Sequence, residues 1–375
     1  MPTLKKVGII GAGIAGLAAG VLLADAGIDV EILERADRPR KDGSGITLQG
    51  NALRILRQLG IWDQIESTGY AFDTVGIRAP DPDATVLVVM TDVRTGGDDL
   101  PATVGMHRPE LAAMLRDRLH MAGGRIRYAA DVVGIDLTEK DTATAVLASG
   151  DRRSYDLLIA ADGINSATRC LLGIDVTPRP TGVGAWRVVV PRPADVVRTD
   201  LIYGGPQYLA GYCPTSDDSI YAYIVEDAQA RDKADGPLIF KKLAAGYGGP
   251  WAQIADSVDE NTPTNYTWFT THLVEGPWHR DRVVLIGDAI HNCPPTIAQG
   301  AAMALEDAAV LVEELLADDD TPLDEVFTRF RHRRFDRAKT VVDSSTQLVQ
   351  WMIDGHRGDV AEVIQRVAHM VKVPA

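Results

Sequence analysis

The sequence predicts an α/β fold: a parallel, Rossmann-like sheet that the chain visits three times, a β-rich segment interleaved with it, and helices at the C-terminus. Three observations predict this. Gly11, Gly13 and Gly16 form G-x-G-x-x-G directly after the apolar run Val7–Ile10, and Glu34 closes the next apolar run. Much later, Leu157–Ala161 ends abruptly in Asp162-Gly163, with Ser166 and Arg169 just beyond. Later still, Arg282–Ile286 runs into Gly287-Asp288-Ala289, followed by Pro294, Pro295, Gln299 and Gly300. In this order the three stretches suit one long dinucleotide that carries its own redox chemistry.

The first element is a βαβ unit. Val7–Ile10 is rich in β-branched residues, as a buried parallel strand requires. Leu17–Ala26 reads as helix, stopped by Gly27, and Ile28–Leu33 supplies the second strand. Gly11 permits the tight turn, Gly13 lets a diphosphate approach the backbone, and Gly16 allows close helix–strand packing. The helix N-terminus offers free N–H groups to the anion. Glu34 can accept hydrogen bonds from both hydroxyls of an adenosine ribose and repels a 2′-phosphate, which favours FAD or NAD over NADP here. The uncharged run Val7–Ala24 mimics a membrane anchor, but five of its residues are glycine and three fall on the fingerprint, so strand–turn–helix explains it better.

Arg125–Tyr128, Val132–Leu137 and Thr142–Leu147 read as short antiparallel strands, the last closed by Ser149-Gly150-Asp151. The strand Leu157–Ala161 then points its C-terminal end at ligand, where open α/β sheets bind cofactors. In the third motif Asp288 would present an acceptor to polyol hydroxyls. Gly300 opens a helix over Ala301–Leu316 whose N-terminus can stabilise negative charge developing on a reduced isoalloxazine ring. NAD has neither a ribityl chain nor an anionic reduced ring; FAD has both.

Composition narrows the function. A chain of 375 residues has room for two or three interlaced domains, and 46% hydrophobic with 24% charged residues suits a globular protein. A net charge of −14 argues against a nucleic-acid or anionic-membrane surface. The basic stretch Arg329, Arg331, Arg333, Arg334, Arg337 and Lys339 reads as a solvated helix face. Cys170, Cys213 and Cys293 offer no disulfide framework and no metal pattern, which points to a reducing cytoplasm.

The segments Gly11–Gly16, Glu34-Arg35, Asp162–Arg169 and Gly287–Ala308 together resemble the single-component FAD-dependent aromatic hydroxylases, the group A flavoprotein monooxygenases. Gly105–Leu111, Gly43–Asn51 and Leu53–Leu59 also fit that family, with Arg108 opening a helix that carries Leu111, Leu115 and Leu119. The resemblance implies a Rossmann-like FAD-binding domain over 1–75, 100–181 and 272–320, a β-sheet substrate domain over 76–99 and 182–271, and a helical segment over 321–375. It implies that Glu34 and Arg35 hold the adenosine ribose, that Arg108 lies near the ribityl–pyrophosphate region, and that Asp288 binds ribityl hydroxyls. Asp162 and Gly163 would serve both FAD and the pyridine nucleotide. Ala15, Gly45, Gly287, Pro295, Gln299 and Gly300 complete the implied cofactor set. Ala298 departs from the family's common P-x-x-G-Q-G form.

The activity implied is hydroxylation of a small aromatic or N-heteroaromatic substrate with NADH or NADPH and O2, through a flavin C4a-hydroperoxide. No second G-x-G-x-x-G occurs, so the nicotinamide nucleotide would bind transiently. A reductase or oxidase on the same scaffold and a flavin-binding redox sensor are the alternatives; a halogenase would carry W-x-W-x-I-P, which is missing. Tyr203, Tyr212, Tyr223 and Trp268 are candidate substrate contacts, although aromatic residues on strand faces also serve sheet packing. Arg187 resembles an arginine near the family's substrate cavity, and a surface role fits it nearly as well. Tyr212, Tyr223, His272 and His291 are candidate bases, and the sequence does not separate them. After Leu316 come the loop Asp318–Asp320, an N-cap signal at Thr321, and helical periodicity to Trp351 and over Val360–Val371. These helices suit a cap and leave a homo-oligomer open.

Overall fold

The computed structural model describes residues 4–39, 43–231, 235–317, 321–356 and 358–375; the Asp318–Asp320 loop lies outside them. At the centre is a six-stranded sheet in the order 279–280, 283–285, 157–160, 6–10, 29–33, 125–127. Lys6–Ile10 pairs in parallel with Asp29–Leu33 on one side and Leu157–Ala160 on the other, and the latter pairs in parallel with Val283–Leu285. The three motifs therefore leave the same edge of one sheet. These strands are buried on both faces and read as continuous apolar runs for that reason. The helix Ile14–Asp25 is apolar all round because it is covered all round: Gly20 sits under Ile9 and Ile32 of the sheet and Leu119 of the helix Arg108–Met121.

One strand differs from the sequence expectation. Arg125–Arg127 is not part of an antiparallel set; it pairs in parallel with Asp29–Leu33 as the sheet's edge. The preceding helix acts as a crossover, and a crossover connection delivers its next strand in parallel. Arg125 and Arg127 then bond Asp29 and Glu31 on the neighbouring strand, at 2.5 and 3.1 Å. The antiparallel unit is instead Val132–Asp136, Ala143–Leu147 and Arg152–Tyr155.

A second, eight-stranded sheet runs in the order 291–292, 264–273, 179–191, 219–227, 209–214, 199–203, 74–78, 86–91. Its residues alternate. Trp186, Val188, Ile202, Tyr212, Ala222 and Ile224 form one fully buried face against Phe240 and Trp251 of the helices Gly236–Ala244 and Pro250–Asp256. The other face turns toward the first sheet. A small sheet of Gly45–Gln49, Thr103–His107 and Tyr70–Phe72 lies between the two.

The helix Leu323–Ile353 packs against both Gly300–Ala317 and the large sheet. It begins one residue later than an N-cap at Thr321 implies, because Pro322 still has an extended ψ of 142°. Its basic stretch is not a solvated face. Arg334 is 0% exposed and Arg337 is buried, both facing Glu306 of the neighbouring helix, and Arg333 and Arg329 bond Glu314. A cation run on a helix this long must turn partly inward when the helix lies across another. There the charges persist only because carboxylates meet them.

Candidate functional site

The three motif loops converge at the C-terminal edge of the parallel strands. At the first loop Gly11 has φ of +103°, and a Cβ there would lie 2.6 Å from the Ala161 carbonyl oxygen. A Cβ on Gly16 would collide with the Gly11 carbonyl oxygen. A Cβ on Gly13 would meet nothing within 4 Å. Two of the glycines thus answer to the protein's own packing, and the third faces open space at the N-terminus of Ile14–Asp25, beside Ala15. That terminus has no side-chain cap and no acid in its first turn, so its N–H groups and positive dipole end remain available to an anion. Glu34 is held by the Ala12 and Ala36 N–H groups, at 2.8 and 2.9 Å, one on each carboxylate oxygen. Each oxygen keeps a lone pair for a further donor. Arg35 is exposed beside it.

At the second loop the Thr168 N–H donates to Asp162 Oδ2 at 3.0 Å, while Asp162 Oδ1 is buried with no protein partner. A Cβ on Gly163 would meet nothing within 4 Å. Arg169, nearly inaccessible, donates to the Val176, Ile164 and Ala289 carbonyls and lies 3.3 Å from His272 Nε2. It fastens the second loop to the third. His272 is consequently a weak base: burial and the adjacent Arg169 charge pull it down to about 4.

At the third loop burial pushes the Asp288 carboxyl above its usual range, although His291 and Arg108 oppose this. Asp288 is nonetheless half-buried rather than closed in by packing. Cys293, raised to about 12 by burial, has the same combination. Arg108 is exposed, and among the described residues its guanidinium has no hydrogen-bond partner. A Cβ on Gly300 would meet nothing within 4 Å, and Pro295 starts the single turn Pro295–Ile297 that precedes it. Ala298 takes the left-handed conformation, φ +52° and ψ 30°, the backbone that glycine adopts freely at this position in the family's common form. Alanine keeps the turn at a cost of about 1 kcal/mol. Gly45 abuts Tyr221 of the large sheet.

Beneath this loop lies a buried polar chain that the sequence reading missed. Asp307 accepts from the Gly287 N–H (2.8 Å) and Arg334 Nε (2.8 Å), and pairs with His291 Nε2 at 2.7 Å. Burial alone would raise Asp307, but the His291 and Arg334 charges outweigh it and hold its carboxyl below the usual range. Glu306 bonds Arg334 and Asn51, and Asn51 bonds Gln299, which also reaches Gln49. The available signal was Glu306-Asp307 inside the stretch Gly300–Val312, apolar but for these two: adjacent acids there need buried cations.

The remaining candidates divide by sheet face. Arg187 donates to the Tyr221 hydroxyl at 3.0 Å and to Thr267, and sits over the Phe269 ring. Tyr223 pairs across from Arg187, and enclosure raises its phenol well above the ordinary value. Tyr203 is 38% exposed at the end of its strand, and burial of its phenol pushes it up to about 12. Tyr212 points the other way, into the Trp251 core, and donates to Asp200 at 3.0 Å. Its side chain is fully buried, so the structure removes it from the site. Trp268 is also on the far face, 50% exposed, with its indole N–H on the Gln229 carbonyl. Neighbouring strand positions face opposite sides, and both of these fall on the wrong one. His291 is buried, with its Nε2 held by Asp307. Among the described residues no cluster of His, Cys, Asp and Glu could hold a metal ion, and no helix is long and apolar enough to cross a membrane.

These residues fit FAD. Three glycines open onto space, Asp162 has an unsatisfied buried oxygen, Glu34 and Asp288 offer acceptors, and two helix N-termini face the same cleft. Comparison with known proteins agrees. The family model described as "FAD binding domain" matches residues 5–345. The chain is 34% identical over 309 residues to the 2-heptyl-3-hydroxy-4(1H)-quinolone synthase of Pseudomonas aeruginosa, covering 81% of this chain and 78% of that protein. It is 31% identical over 361 residues to the aurachin C monooxygenase/isomerase of Stigmatella aurantiaca, covering 94% and 91%. The solved tetrameric form of 2-methyl-3-hydroxypyridine-5-carboxylic acid oxygenase superposes with a TM-score of 0.82 at 21% identity, covering 98% of this chain and 96% of that one. The chain therefore belongs to the FAD binding domain family and is an FAD-dependent monooxygenase of the group A aromatic hydroxylase type.

Proposed function

We propose that the enzyme hydroxylates an electron-rich aromatic or N-heteroaromatic ring held between the Gly287–Gly300 loop and the Arg187–Tyr223 face of the large sheet. The observation that carries this reading is the sheet face of Arg187 and Tyr223: Arg187 is fixed by Tyr221 and Thr267, Tyr223 stands across from it, and Tyr221 abuts Gly45 of the small sheet between the two large ones. That face turns aromatic and polar side chains toward the cofactor side of the sheet. Bound FAD supplies the redox chemistry, taking two electrons from NADH or NADPH and passing one oxygen atom of O2 to the ring; the other leaves as water. The residues position and shield. Glu34 and Arg35 would take the ribose, the Ile14–Asp25 N-terminus with Gly13 the diphosphate, Asp162, Gly163 and Arg108 the middle of the cofactor, and Asp288 the ribityl hydroxyls. Arg187, fixed by Tyr221 and Thr267, would orient an oxygen or ring anion of the substrate. Tyr223 would cover the ring and exclude water.

A 4-quinolone heads the panel of rings to be tried, since the quinolone synthase is among the relatives. We place the enzyme in the cytoplasm, a reading supported by its three free cysteines, and assembled from several copies, as the tetrameric neighbour is. The test is NAD(P)H oxidation by the purified FAD-loaded protein against aromatic and N-heteroaromatic compounds, with hydrogen peroxide measured in parallel. Oxidation stimulated by a ring compound, with little peroxide and a product heavier by one oxygen, is expected. Stimulation by none of them, or peroxide equal to the NAD(P)H consumed, would refute the proposal.

A further inference from the structure

The face of the large sheet that carries Arg187 and Tyr223 continues far beyond the pocket. Strand registers align Arg187, Tyr223, Gly211, Leu201, Ile77 and Val88 side by side across six strands. Gly211 has no side chain to interrupt this row: a Cβ there would lie 2.7 Å from the Tyr223 ring and 2.8 Å from Leu201 Cδ2. The Tyr223 ring therefore leans across the gap toward Leu201. From Tyr223 outward the row contains no charge. It ends at Val88, 44% exposed, on the edge strand Val86–Thr91. With strands about 4.8 Å apart, the four steps from Tyr223 to Val88 span about 19 Å.

The rows on either side are covered near the pocket. On one side Tyr221 abuts Gly45, and Thr47 Oγ1 donates to Cys213 Sγ at 3.7 Å. On the other, Val183, Ala185, Leu209 and Val225 pack with Val349, Met352 and Ile353 of the long C-terminal helix. Tyr223 and Leu201 lean on that second cluster at one flank and Ile77 lies beyond it, yet all three remain only half-buried. A half-open apolar strip that starts at the proposed ring site and runs to the protein surface suits one kind of occupant. A second copy of the chain would pair with the backbone of the edge strand and would have no need of a strip reaching the pocket.

We propose that the substrate ring carries an apolar alkyl-type chain and that Leu201, Ile77 and Val88, beyond Tyr223 and Gly211, form the subsite that takes it. This deepens the hydroxylase reading and rests on it for the position of the ring. The test uses the FAD-loaded enzyme and a series of 2-alkyl-4-quinolones from methyl to nonyl. Binding is measured by calorimetry, independently of turnover. Burying each added methylene on the strip should lower Kd about fourfold until the strip is filled. Ile77→Asp and Val88→Asp should each reduce the nonyl-to-methyl affinity ratio by tenfold or more; Val88 is exposed, so its variant has little reason to misfold.

A chain-length series with no slope in the native enzyme overturns the proposal. So does a slope that both variants retain, which would put the chain elsewhere. A native enzyme without slope whose concentration-dependent dimer is lost in Val88→Asp would assign the edge to a second copy and also overturn it. The two readings fail separately. A steep slope in binding with no ring hydroxylated by any assay defeats the hydroxylase reading alone, whereas coupled hydroxylation of the methyl compound with a flat slope defeats this one alone.

Discussion

Gly13→Ala and Gly16→Ala should separate the needs of the cofactor from the needs of the fold. The two positions are three residues apart in one turn, but their surroundings are opposite. At Gly16 a methyl group would strike the Gly11 carbonyl oxygen, which is backbone and cannot swing aside. Forcing it in should cost the apoprotein about 1–3 kcal/mol, the range for an overpacked core. At Gly13 the same methyl meets no protein atom, and φ of −80° with ψ of −178° suits any L-residue. Alanine is the poorer N-cap by up to about 1 kcal/mol, and the reduced freedom of the unfolded chain offsets this by about 0.4–1 kcal/mol, so the apoprotein should change by only a few tenths of a kcal/mol. If the open space belongs to the diphosphate, the methyl group displaces it from the helix N-terminus, and FAD affinity should fall at least tenfold, about 1.4 kcal/mol. The assays are thermal unfolding of both apoproteins by circular dichroism and FAD titration by quenching of flavin fluorescence. Gly13→Ala should melt with the native apoprotein, bind FAD more weakly, and gain about 1.4 kcal/mol less stabilisation at a given FAD excess. If Gly13→Ala binds FAD normally, or destabilises the apoprotein as much as Gly16→Ala does, the assignment of that space to the diphosphate is wrong.

Two other expectations concern the supporting structure. Arg334→Met leaves Glu306 and Asp307 buried without their main cation, so it should cost about 3–5 kcal/mol in a denaturant titration. Adding Asp307→Asn to the same chain should restore part of that loss; a single variant as stable as the native protein would mean the pair contributes nothing. His272, held down to about 4 against about 6.5 when unfolded, binds protons mainly in the unfolded state between those values. Stability should therefore fall as pH drops through that window, by up to about 3 kcal/mol. The slope should flatten in His272→Gln, and equal pH profiles for the two proteins would show that another group is responsible.

The cofactor side was legible because its signals are local. A turn that needs Gly11, an acid closing the strand that ends at Leu33, and Asp162-Gly163 after an apolar strand all record backbone conformations within a few residues. The common sheet followed, since parallel strands joined by crossovers have few arrangements. The Arg125–Arg127 strand was misjudged because pairing direction depends on how the helix before it lies, which no short run of residues records. The buried Arg334 was taken for solvated because a helix shows which residues share a face, not which face another helix will cover.

The aromatic candidates make the same distinction most sharply. Tyr212 and Tyr223 are both tyrosines on neighbouring strands of one sheet, equally suited by type to meet a ring. The sequence by itself determined an FAD-binding α/β fold with three motif loops, and an aromatic-rich β segment interleaved with it. Only tertiary structure decided which side of that sheet looks toward the flavin loop. Alternation along a strand divides side chains into two sets, and packing of the Gly236–Ala244 and Pro250–Asp256 helices against one set leaves the other to face the cofactor side.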